Sequence, residues 1–89
     1  MPRLVLTRRA QEQIADLPDA IRDAVELTID RIAVEPEFGR ALLGRLEGVR
    51  AARVGNYRIL YTIEGRSTNT TFVVRSVRHR ATAYRRRRR

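Results

Sequence analysis

Cysteine is absent from this chain, and His79 is the single histidine. Disulfides, thiolate metal sites and multi-histidine metal centres are therefore excluded, and no cofactor is called for. Lysine and tryptophan are also missing, so all nineteen basic residues are arginine. No apolar run approaches the ~20 residues that a membrane span needs. The opening residues, Met1 to Arg9, lack the apolar stretch of a secretory leader. A cytoplasmic setting without membrane contact is expected. No Gly-rich phosphate loop, nucleophile elbow or pair of carboxylates stands out, so any chemistry here is expected to be metal-free.

Acidic residues are scarce in one half only. Residues 1–40 hold six arginines against eight acids, a net −2. Residues 41–89 hold thirteen arginines against two acids, a net +11. A C-terminal half so charged attracts polyanions, with nucleic acid the leading candidate. The length of 89 residues and 43% hydrophobic content support one core. A single domain over residues 1–84 is expected, followed by a disordered arginine tail at 85–89.

The period of the apolar residues divides the chain. Arg3 to Leu6 reads as a short edge strand. Thr7 can cap a helix whose positions Leu6, Ala10, Ile14 and Leu17 keep helical spacing. Pro18 and Asp19 suit the start of a second helix, running to about Val34 with Ile21, Val25, Ile29 and Ile32 on one stripe. Glu35 to Gly48 reads as a connection. From there strands are expected at about 50–54, 57–63 and 71–77. The predicted class is α+β: a β-α-α-β-β-β domain with a helical hairpin packed on one face of a mostly antiparallel sheet.

The Gly55-Asn56 pair between two apolar-rich runs is a strong signal for a two-residue hairpin loop. That loop sets Val54 against Tyr57 and Arg53 against Arg58. Tyr57, Ile59, Tyr61 and Ile63 form the more apolar set and are expected to face the helices, leaving Arg53 and Arg58 on the open face. Like charges directly opposite one another destabilise a sheet. Replacing Arg58 by Thr is thus expected to raise stability, by roughly 0.2–1 kcal/mol. An anion over the pair would explain its presence, whereas two solvated arginines splaying apart would cost little.

With the C-terminal segment, the open face is expected to gather Arg53, Arg58, His79, Arg80 and Tyr84, flanked by Arg45, Arg50 and Arg78 as substrate contacts. Guanidinium groups offer a planar donor fork to phosphate oxygens, and aromatic side chains stack on unpaired bases. The same set could cleave a phosphodiester through the ribose 2′-hydroxyl, which requires a base, positive charge at phosphorus and an acid for the leaving oxygen. Arginine stabilises charge but is a poor base, so proton transfer falls to His79 or Tyr84.

Leu17-Pro18, Leu46-Glu47-Gly48, the run from Arg53 to Tyr61, and Val77-Arg78-His79-Arg80 with Tyr84 together resemble the RelE/ParE toxin superfamily. The likeness extends from Leu4 to Tyr84 and is closer to the RelE branch. It implies a type II toxin–antitoxin toxin that cuts mRNA in the ribosomal A site, held inactive by a small antitoxin in a hetero-oligomer. It implies that Arg58 stabilises the transition-state phosphate, that Arg80 is a second active-site arginine, and that Tyr84 stacks or assists catalysis. Arg53 matches the second of two basic residues in the preceding strand. The first falls on Ala51, which has no functional group. The base therefore stays open between His79, Tyr84 and a water. Alternative readings are a ParE-like, non-enzymatic inhibitor of DNA gyrase and a toxin-fold RNA-binding protein with weak catalysis.

Overall fold

A computed structural model describes residues 3–65 and 70–83. Its elements are β1 (Arg3–Leu6), α1 (Arg8–Ala15), α2 (Asp19–Val34), β2 (Arg40–Ala41), β3 (Val49–Val54), β4 (Tyr57–Glu64), β5 (Thr71–His79) and the short α3 (Arg80–Ala83). The strands form one sheet in the order β1-β5-β4-β3-β2. β1 runs parallel to β5, and the other pairings are antiparallel. The expected class is observed, with two additions: β2, a two-residue strand within the stretch read as connection, and the short α3 after β5. Tyr84 and the tail at 85–89 lie outside the described residues.

Local chemistry explains the entry to the helices. The Thr7 hydroxyl accepts from the Ala10 amide at 3.1 Å, capping α1, and donates to the Arg75 carbonyl at 3.0 Å. Arg75 is the extra residue of a bulge in β5, where Leu60 pairs with Ser76 but Tyr61 pairs with Val74. β1 stops at Leu6, and α1 continues to cover the edge of β5, because Gln13 Oε1 accepts from the Val77 amide at 2.7 Å. Pro18 separates the helices, and its carbonyl accepts the first bond of α2, from the Arg22 amide.

The core lies between the helices and one face of the sheet. Ala10, Ile14 and Leu17 meet Val25, Ile29 and Ile32 above Ala52, Ile59, Tyr61, Phe72, Val74 and Val77. Tyr57 packs at its edge, as the alternation predicts, whereas Ile63 is 37% exposed near the strand end. Among the described residues, no helix is long and apolar enough to cross a membrane.

Tyr61 fixes the segment ahead of β2. Its buried hydroxyl donates to the Pro36 carbonyl at 2.7 Å and accepts from the Gly39 amide at 2.8 Å. A Cβ at position 39 would lie 2.6 Å from that hydroxyl, so only glycine permits the approach. Arg50 adds a second clasp, with Nε on the Gly39 carbonyl at 2.9 Å and Nη2 on the Glu37 carbonyl at 3.2 Å. Tyr61→Phe strands both backbone groups and should lower stability by about 2 kcal/mol. Denaturant midpoints and loss of exchange protection at the Gly39 amide measure this.

Candidate functional site

The Gly55-Asn56 turn produces the expected register, with Val54 opposite Tyr57 and Arg53 opposite Arg58. Gly55 has φ +56°, a left-handed conformation that glycine adopts without strain. On the far side of β4, Arg58 pairs with Arg78. Arg53, Arg58 and Arg78 therefore form one row across three strands, on the face turned away from the helices. The next row is Arg40, Ala51, Leu60 and Ser76, across four strands.

Between these rows lies a cleft of about 450 Å³ lined by Phe38, Arg40, Ala51, Ala52, Arg53 and Arg58. Among the described residues that line it are three arginines and no acid. The described ion pairs lie elsewhere, at Arg8–Glu12, Arg22–Asp19, Arg31–Glu35 and Arg75–Glu64. Arg58 is only 9% exposed. Its Nη1 donates to the Tyr57 carbonyl at 2.9 Å and to the Gly55 carbonyl at 3.3 Å. Nε and Nη2 make no hydrogen bond among the described residues, so the guanidinium is anchored at one corner and keeps donors available. A cationic donor held in place before an anion arrives is what stabilisation of a developing phosphate charge requires.

The remaining expected residues are dispersed. His79 pairs with Tyr57, whose ring it meets edge-on at 5.4 Å, and lines a second cavity with Ala20, Ile21 and Ala24. It thus sits on the helix side, apart from Arg53 and Arg58. The expected open-face placement is corrected by strand parity, because β5 continues two residues beyond its predicted end. Its Nδ1 accepts from the Ala81 amide at 3.2 Å. Arg50 also faces the helix side, opposite Tyr61, with donors engaged by backbone carbonyls. Arg45 is exposed in the loop before β3, outside the cleft. Arg80 begins α3, and its amide donates to the Asn56 carbonyl at 2.6 Å, docking α3 on the hairpin turn. A larger groove, about 790 Å³, opens between β1, α1 and α2, but its lining mixes apolar residues with Arg22, Glu26 and Asp30 and has no arginine cluster.

Known proteins share this fold. A family model described as the ParE toxin of type II toxin–antitoxin systems matches residues 4–84. The chain belongs to the RelE/ParE toxin superfamily. It is 39% identical to Toxin RelG of Mycobacterium tuberculosis, with 97% of this chain and all of that protein covered. The RelBE2 toxin–antitoxin complex of the same organism superposes with a TM-score of 0.77 at 34% identity, covering 88% of this chain and 96% of the other. The YoeB/ParE toxin of Agrobacterium tumefaciens shares the fold, with a TM-score of 0.74 at 18% identity over 86% of this chain and 96% of that one.

Two cleft residues of this toxin, Phe38 and Arg40, escaped the sequence reading. A two-residue strand leaves no periodicity to detect, and only the Pro36-to-Gly39 break signals a change of direction. Phe38 also carries the Arg31 guanidinium 4.5 Å above its ring centre, on the side leading to α2.

The anchoring of Arg58 reverses one expectation. Removing it relieves repulsion in the arginine row but loses two hydrogen bonds from a charged donor, the larger effect. Arg58→Thr should therefore be less stable than the parent, by about 1 kcal/mol. Paired denaturant titrations, which count the carbonyl contacts and the repulsion together, give the sign.

Proposed function

We propose that this toxin is an endoribonuclease that cuts mRNA in the ribosomal A site. The observation that carries the reading is the row Arg53–Arg58–Arg78, concave on the side of Arg53 and Arg58, without acidic partners among the described residues, and with Arg58 already anchored. In the proposed reaction the 2′-oxygen gives up its proton and bonds to phosphorus as the bond from phosphorus to the 5′-oxygen breaks, leaving a 2′,3′-cyclic phosphate and a 5′-hydroxyl that has taken up a proton. Arg53 and Arg58 neutralise the pentavalent phosphate, and Arg78 and Arg80 bind the flanking strand. The 2′-hydroxyl proton needs a base, and among the described residues that line the cleft the titratable side chains are all arginines. Tyr84, next in sequence after α3, is the residue proposed for that transfer or for stacking on a base. His79, on the other side of the sheet, is assigned a packing role with Tyr57.

The ribosome supplies geometry. A cleft that contributes mainly cations gains most when the substrate arrives with its 2′-oxygen already in line with phosphorus. Induced expression without a partner should stop growth and leave mRNA cut within translated codons, while naked RNA is cut poorly. Arg58→Thr should slow single-turnover cleavage on programmed ribosomes by ~100-fold or more. The family model carries the ParE description, so a gyrase inhibitor is the competing reading. Intact mRNA together with relaxed DNA would select it.

The partner proposed is an antitoxin, as in the RelBE2 complex. Its acids would cover the arginine face and its apolar anchors would enter the groove along β1, α1 and α2. Association should slow as ionic strength rises, in stopped-flow mixing of the two proteins. An on-rate indifferent to salt would contradict the charge-driven part of this reading.

A further inference from the structure

β2 places a third arginine over the cleft. Arg40 pairs with Ala51, and Ala51 shares its face with Arg53 two residues on. Arg40 and Arg53 are thus diagonal neighbours across the β2–β3 pair, a relation of roughly 7–8 Å that long side chains span readily. The residue beneath them is the smallest that still has a Cβ. A longer basic side chain at position 51 would bring its own charge to the space that Arg40 and Arg53 overlook.

Arg40 has a fixed backbone and an open side chain. Its strand is held by pairing with β3, by the Leu42 amide on the Val49 carbonyl at 3.0 Å, and by the Tyr61 and Arg50 clasps on Gly39. Its own side chain is exposed and makes no ion pair or hydrogen bond among the described residues. Packing and stability gain nothing from a third cation beside Arg53 and Arg58, since like charges so placed oppose the fold. A phosphodiester resolves the arrangement. Its two non-bridging oxygens can be met from different walls at once, Arg53 and Arg58 on one and Arg40 on the other.

We infer that Arg40 is a phosphate-binding residue of the cleft, reaching from β2 over Ala51 to share a single-stranded RNA phosphate with Arg53. The charge can reach that phosphate from the strand neighbour because position 51 is small. Moving the arginine one strand over should then preserve function. This inference rests on the nucleolytic reading, but binding tests it separately from cleavage.

The probe is a short 2′-O-methyl RNA, which binds without being cut, titrated against the full-length chain over a range of salt. Arg40→Ala should weaken binding roughly tenfold and lower the salt slope by about one. Adding Ala51→Arg to that variant should restore both. Arg9→Ala, which removes an exposed charge from α1, should change neither. On programmed ribosomes Arg40→Ala should cut ~100-fold more slowly, with recovery in the double variant. If the binding pattern appears but the parent chain cleaves nothing, Arg40 keeps its role and the nucleolytic reading falls. If the parent cleaves while Arg40→Ala binds and cuts normally, Arg40 is overturned and the nucleolytic reading stands. Absence of RNA binding by the parent chain, or an Arg40→Ala defect that Ala51→Arg does not repair, also overturns it.

Discussion

The register of the β3–β4 hairpin is the constraint on which the rest of the molecule depends. Side chains alternate faces along a strand, so a slip of one residue would carry Arg53 and Arg58 into the core and bring Ala52 and Ile59 out. Gly55 prevents this by taking the left-handed conformation that a two-residue loop requires. The same turn then gains further attachments. Arg58 Nη1 holds its carbonyls, and the Arg80 amide docks α3 on Asn56. A short loop of two residues thus sets the core, the arginine row and the direction of the C-terminal segment together.

The two faces of the sheet follow different physical rules. The helix side is closed by apolar contact, with Ile32, Ile59 and Val74 fully buried. The open side buries Leu60 and Ala51 among arginines, whose aliphatic stems cover apolar surface while their heads stay polar. The heads of Arg53, Arg58 and Arg78 form no ion pair among the described residues, so this part of the face carries a positive field that stability does not need. A local conflict of this kind is the usual mark of a functional site, because folding alone favours its removal.

Tyr61 links the faces. It is a core residue by packing, yet its hydroxyl holds Pro36 and Gly39 and so places the chain that becomes β2. Phe38 and Arg40 reach the cleft through that contact. One buried polar group with both of its bonds satisfied therefore sets the second wall of a site that lies on the opposite side of the sheet.

Periodicity, capping and turn chemistry in the sequence were enough to determine the two helices, the three long strands, the hairpin register and the opposition of Arg53 and Arg58. All of these are local or nearest-neighbour properties, written in spacings of two or 3.6 residues. The tertiary structure alone decided which of the many arginines share a cleft. Arg40 joined it through a strand too short to have a pattern, whereas Arg50, one residue out of phase with Ala51 and Arg53, lies on the helix side by strand alternation and binds carbonyls ahead of β2. His79 changed sides because β5 ran on through a bulge. The sign of the Arg58 contribution also lay beyond the sequence, since it turns on the direction in which one guanidinium folds. Charge identifies what a face can attract, but long-range contacts determine which charges meet there.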